Sequence, residues 1–218
     1  MQLSSADFIP PWPLFSAFLL ASFLLAVTPG PGVFYIVTRS LAQGRRCGLA
    51  SVAGVALGNL GNALAASLGL AAIFSISALA FTVVKYVGAA YLIYLGVRML
   101  RTPAAPSEVA DPGRASLWRV FRDGFVVALL NPKTTVFFAA FLPQFVSANA
   151  APMAQSMALG ALFVTIAVVT DSAYALAAGA IAMRRRANGT QRIARRLGGS
   201  MFIALGVFAA LAGARGLK

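Results

Sequence analysis

Thr28-Pro29-Gly30-Pro31-Gly32 cuts the first long apolar stretch of this chain, and Asn131-Pro132-Lys133 cuts a second one. Pro29 lies ten residues before Arg39, and Pro132 lies ten residues after Arg122. A helix rises about 1.5 Å per residue, so both breaks lie ~15 Å from a charged edge. The hydrocarbon core of a bilayer is about 30 Å thick, which puts both breaks near its middle. Unwound backbone at that depth is tolerated only against protein or a water-filled cavity. Paired breaks in the two halves of a chain mark a transporter's substrate site.

Composition supports a membrane setting. The 218 residues are 60% hydrophobic with mean hydropathy +0.83, more apolar than an ordinary soluble domain. The length suits about six spanning helices of ~20 residues each. The formal net charge of +13 invites a nucleic-acid partner. Its placement excludes one, because the basic residues sit in short segments between apolar runs rather than on one face of a soluble fold. With no His in the chain, imidazole bases and His metal sites are excluded. The single Cys47 cannot form an internal disulfide or a redox pair and reads as a small hydrophobe at a helix start. The segment before the first apolar run carries Asp7 and no Lys or Arg, so it is expected to be retained rather than cleaved as a signal peptide.

Six spans are predicted: roughly 14–38, 48–73, 81–100, 120–146, 153–183 and 197–214. Arg39, Arg45 and Arg46 follow the first. Arg98, Arg101, Arg114, Arg119 and Arg122 surround the third-to-fourth connection. Arg184, Arg185, Arg186, Arg192, Arg195 and Arg196 follow the fifth. The connections 74–80 and 147–152 hold no Lys or Arg. Positive charge marks the cytoplasmic side, so the loops after helices 1, 3 and 5 are expected there and both termini outside. Thr102 to Ser116, with Pro103, Pro106 and Pro112, forms no packed core. It divides one transmembrane domain, 1–218, into pseudo-repeats 1–102 and 117–218 joined by a linker at 103–116. Three spans per half is an odd number, so the halves run through the membrane in opposite senses. Their likeness is visible in Ser22–Pro29 over Phe125–Pro132, Val55–Gly58 over Met157–Gly160, and Gly88–Val97 over Gly198–Val207. The expected fold is therefore all-α, two inverted three-helix repeats with helices 1 and 4 broken.

Asp171 is the sharpest single residue, the acid well inside an apolar run. It shares a helical face with Ala167, Ala175 and Ala178 that turns toward other helices. An intramembrane carboxylate marks an ion or substrate pathway, and here it can carry the coupling proton; the structural alternative is an ion pair with Lys133 or Lys85. Pro132 frees a carbonyl one turn earlier, and Lys133 adds a positive charge that suits a carboxylate; the alternative is a packing kink. Pro29, Gly30, Pro31 and Gly32 remove more helix than a kink requires, which favours an opened turn lining a cavity. Gly54, Gly58, Asn62 and Ala66 form a small-residue edge for close helix packing. Asn59 and Asn62 either bond across the bundle or face the pathway. Lys85 either snorkels to the outer interface or lines the pathway. Tyr91, Tyr94 and Tyr174 are cavity hydroxyls or members of an aromatic belt.

With these motifs in place, the chain resembles the lysine exporter (LysE/RhtB) family of bacterial inner-membrane amino-acid exporters over nearly its whole length. Thr28-Pro29-Gly30-Pro31 is similar to the family's first-helix signature. Gly44-Arg45-Arg46-Cys47-Gly48-Leu49 with Gly54 and Gly58 resembles its second-helix start. Lys85 with Gly88-Ala89-Ala90-Tyr91-Leu92 and Leu95-Gly96 resembles the third helix. Asn131-Pro132-Lys133 with Phe137-Phe138 and Leu142-Pro143-Gln144-Phe145 resembles the fourth. Gly32 departs from the pattern, standing where members often carry a polar residue. The resemblance implies six helices, efflux of neutral or basic amino acids or their derivatives, and coupling to the proton gradient.

The expected function is a secondary transporter exporting an amino acid or close derivative across the bacterial inner membrane. Pro29, Gly30, Pro31, Gly32, Asn59, Asn62, Asn131, Pro132 and Lys133 form the substrate site, and Asp171 couples protons. No cofactor and no metal is expected. The partners are the solute, protons and membrane lipid, and a homodimer is compatible. Rival readings are an inorganic cation exporter, an intramembrane enzyme and a non-transporting assembly subunit. One Cys and one central acid leave few catalytic pairs, and scarce acids disfavour a metal ion.

Overall fold

A computed structural model describes residues 8–68, 78–101, 116–146 and 152–184, together with 196, 199, 200, 203, 204 and 207. The linker up to residue 115 and most of the expected sixth span lie outside the described residues, as does the Lys85 side chain. The described part is helical, without a strand. In chain order it contains α1 (Trp12–Val27), α2 (Pro31–Gln43), α3 (Arg45–Ser67), α4 (Ala78–Arg101), α5 (Leu117–Leu129), α6 (Pro132–Val136) and α7 (Pro152–Arg184). A π-helical turn, Phe137–Phe141, and a 3-10 turn, Leu142–Phe145, extend α6.

Among the described residues, α3 and the Pro152–Ala182 part of α7 are each long and apolar enough to cross a membrane. Two bent pairs add a crossing each if each pair is one span. These are α1 with α2, bent by 45°, and α5 with Pro132–Phe145, bent by 46°. Both bends fall at the proline motifs. Pro31 opens α2 and Pro132 opens α6, the first helical turn being the place where a missing N–H costs nothing. Gly44 joins α2 to α3 with φ +85°, a left-handed conformation that favours glycine.

Helix packing follows the small-residue edge. A Cβ on Gly54 would strike the carbonyl of Phe121, and one on Gly58 would sit 2.7 Å from the Ala128 Cβ. A Cβ on Gly160 of α7 would sit 2.7 Å from that of Ala63. The backbones of α3, α5 and α7 can approach this closely only because those side chains are absent. Two apolar clusters result. One gathers Tyr35, Ile36, Val52, Leu92, Leu95 and Val127. The other gathers Phe18, Phe137, Phe138, Leu142, Leu159 and Phe163. The helix breaks lie where the two meet.

Candidate functional site

A proline at position i leaves the carbonyl at i−4 without its helical donor. Pro29, Pro31 and Pro132 therefore free the carbonyls of Leu25, Val27 and Ala128, and each is taken by a side chain from the opposite half of the chain. Lys133 Nζ donates to Leu25 O at 2.6 Å and also to Thr28 O. Tyr174 Oη donates to Val27 O at 2.9 Å. Asn62 Nδ2 donates to Ala128 O at 2.9 Å and to Thr134 Oγ1 at 3.4 Å. Asn131 caps α6, its Oδ1 accepting from Lys133 N at 3.1 Å. An orphan carbonyl in an apolar setting costs about 1–3 kcal/mol, so the bonds to Leu25 O and Val27 O support the first break, whereas Ala128 O at the second also accepts from Asn131 N at 3.1 Å.

Between the breaks lies a cavity of about 30 Å³. Its polar lining is Gly30, Gly32, Asn59, Asn131, Lys133, Thr134 and Asp171; Val55, Phe163 and Ala167 supply apolar wall. Gly32 and Val33 bring the first turn of α2 to its edge, where backbone amides lack intrahelical acceptors and the helix dipole is positive. The end of α1, with the opposite dipole sense, is where Lys133 sits. The cavity is small and partly open to its surroundings. The Lys133 stem helps close it: a Cβ on Gly30 would lie 3.1 Å from Lys133 Cδ.

Asp171 projects from α7 with 6% exposure. Among the described residues it makes no hydrogen bond and no ion pair, so the direct Lys133–Asp171 bridge considered from sequence does not form; Lys133 spends its donors on α1 instead. Asn59, 4% exposed, leaves its Oδ1 buried without a partner among the described residues. Of the expected site residues, Gly30, Gly32, Asn59, Asn131, Lys133 and Asp171 border one cavity. Pro29, Pro31 and Pro132 stand outside the lining and act through the carbonyls they release, and Asn62 points to the second break.

Asp123 on α5 is a charged centre that the spacing of apolar runs hides. It is 1% exposed and lies 3.2 Å from Arg39, 3.6 Å from Arg98 and 3.7 Å from Arg122. Tyr91 Oη donates to it at 3.5 Å. The Arg39 guanidinium stands 5.2 Å from the centroid of the Tyr35 ring, and Tyr35 Oη donates to Val120 O at 2.8 Å. The available signal was scarcity: of five acids, only Asp123 and Asp171 fall inside predicted spans. Tyr91 thus serves this cluster, Tyr174 serves the first break, and Tyr94 is exposed. At the other end of the bundle Phe18, Phe137, Phe138, Phe145 and Phe163 pack ring on ring, with the Phe137–Phe163 centroids 5.0 Å apart. No group of three or more His, Cys, Asp or Glu that could hold a metal ion occurs among the described residues.

Comparison with known proteins identifies relatives over most of the chain. The LysE type translocator family matches residues 23–213. A homoserine/homoserine lactone efflux protein of Salmonella typhimurium is 36% identical over 196 residues, covering 90% of this chain and 95% of the relative. The protein of the same description from Salmonella typhi is 35% identical over the same shares. An uncharacterized membrane protein of Vibrio cholerae is 30% identical over 90% of this chain and 96% of its own length. No solved structure matches.

Proposed function

The chain belongs to the LysE-type translocator family, and from that membership we propose that it exports small amine-bearing metabolites, amino acids or their close derivatives, across the bacterial inner membrane. One observation carries this reading: a cavity lies between two broken helices and is bordered by an ammonium, by a carboxylate that has no bonded partner among the described residues, and by an amide oxygen that has none among them either.

The chemistry of the relatives' named solutes narrows the class. Homoserine and its lactone both keep the α-amine, and only homoserine has a free carboxylate. A site that accepts both must take its ionic grip from the amine. Asp171 is the acid that meets such an amine, and it is also the group that carries a proton when the solute is absent. Binding one or the other in alternate facing states would exchange an inward proton for an outward solute. Asn59 offers its oxygen to a hydroxyl or the amine. The amides at the start of α2 suit a carboxylate where one is present. Six helices in two inverted repeats, with the arginine-rich loops in the cytoplasm, would put the Asp123 cluster on the inner side of the cavity and the aromatic cluster on the outer side. Alternating access then means parting one cluster while the other stays shut.

The test is counterflow in proteoliposomes. Purified protein preloaded with unlabelled homoserine should accumulate labelled homoserine, and an acid-outside pH gradient should drive net efflux. A parallel comparison of metabolites outside cells with and without the protein identifies the preferred solute. No counterflow of homoserine, and no amine-bearing metabolite appearing outside the cells, would refute the reading.

A further inference from the structure

We propose that the carbonyls of Leu25 and Thr28, at the end of α1, are the seat for the solute's ammonium group, and that Lys133 occupies this seat as an internal stand-in until the solute displaces it. The proposal rests on the export reading above and assigns a polarity to that site.

Three observations meet at this point. First, the seat exists because Pro29 cannot donate to Leu25 O, and it is filled by a primary ammonium, the same group an α-amine presents. Second, Lys133 itself lines the small cavity, and its stem lies against Gly30. Withdrawal of this side chain would widen the cavity at the first break. Third, Asn59 Oδ1 is buried on the same cavity with no donor among the described residues. It awaits a donor that Lys133, turned toward α1, does not provide. A solute ammonium on the α1 carbonyls would satisfy the first break in Lys133's place, with Asp171 on the same cavity as its counter-charge, and the Lys133 ammonium would withdraw from the seat. The empty carrier then stays shut because its own lysine closes the break. The loaded carrier opens because that latch is lost.

The sign of one measurement separates this role from a direct grip on the solute's carboxylate. A latch that competes with the solute lowers apparent affinity by the fraction of protein left competent. Equilibrium binding of labelled L-homoserine to the purified full-length protein should therefore tighten about ten-fold or more in Lys133→Met and Lys133→Ala, while N-acetyl-L-homoserine fails to compete. Unchanged or weaker binding in variants that remain folded overturns the proposal and makes Lys133 a direct solute contact or a bystander. Should neither variant fold, Lys133→Gln decides, because it keeps an N–H donor for the α1 carbonyls without the charge: it should bind labelled homoserine several-fold more tightly than wild type, and equal or weaker binding would overturn the latch. If the wild type binds no homoserine and none of the amine-bearing metabolites found outside cells, the export reading fails and the latch falls with it. If it binds and only the sign is wrong, the export reading stands and the latch alone is lost.

Discussion

Two carboxylates are buried in this bundle, and they live in opposite surroundings. Asp123 has three guanidinium groups within 4 Å and a tyrosine hydroxyl at 3.5 Å. Asp171 has cavity on one side, alanine neighbours along its own helix, and no bonded partner among the described residues. A carboxylate held by three cations from α2, α4 and α5 joins helices and is costly to disturb. A carboxylate without a partner has its bonding capacity free for a ligand. Burial alone therefore does not distinguish a structural acid from a functional one; the partners do.

This contrast predicts a separation of phenotypes. The largest effect is expected for Asp171→Asn, which should reduce pH-gradient-driven efflux from proteoliposomes to the level of empty liposomes. Unchanged gradient-driven transport would remove Asp171 from the mechanism. Next comes Asp123→Ala, which should destabilise the folded protein by about 1–3 kcal/mol by removing the buried acceptor that Arg39, Arg98 and Arg122 share. Chemical denaturation in detergent measures this, and a loss below ~1 kcal/mol would mean the cluster is not cohesive. The same assay on Asp171→Asn should show stability equal to wild type or higher, since no partner is abandoned; marked destabilisation would give Asp171 a structural role and blur the contrast. Asn62→Ala, which withdraws a donor from Ala128 O while Asn131 N still serves it, should cost about 1 kcal/mol. The smallest effect is expected for Tyr91→Phe. Its bond to Asp123 is long at 3.5 Å, so less than about 1 kcal/mol should be lost in the same unfolding measurement.

Much of this was legible from residue order. Pro29, Pro31 and Pro132 forbid specific hydrogen bonds wherever the chain goes, so both helix breaks follow from local covalent chemistry. Gly54 and Gly58 announce a close approach, because glycine repeated at helical spacing leaves a groove. Asp171 stands out because a charge inside an apolar run has few acceptable surroundings. Asp123 did not stand out. It sits beside Arg119 and Arg122, and a charge among charges at a helix mouth looks like part of a solvated loop. That Arg39 and Arg98 converge on it depends on helices far apart in sequence.

The chain's own order of residues settled where helices must stop, which faces must pack tightly and which acid lies in an apolar stretch, because each of these is imposed by neighbours within a turn or two. Tertiary structure alone decided who answers the broken bonds. Lys133 turns to Leu25, Tyr174 to Val27 and Asn62 to Ala128 across separations that no local rule spans. The physical reason is that a freed carbonyl in an apolar interior accepts whichever donor the packing brings within reach, and packing is a property of the whole bundle.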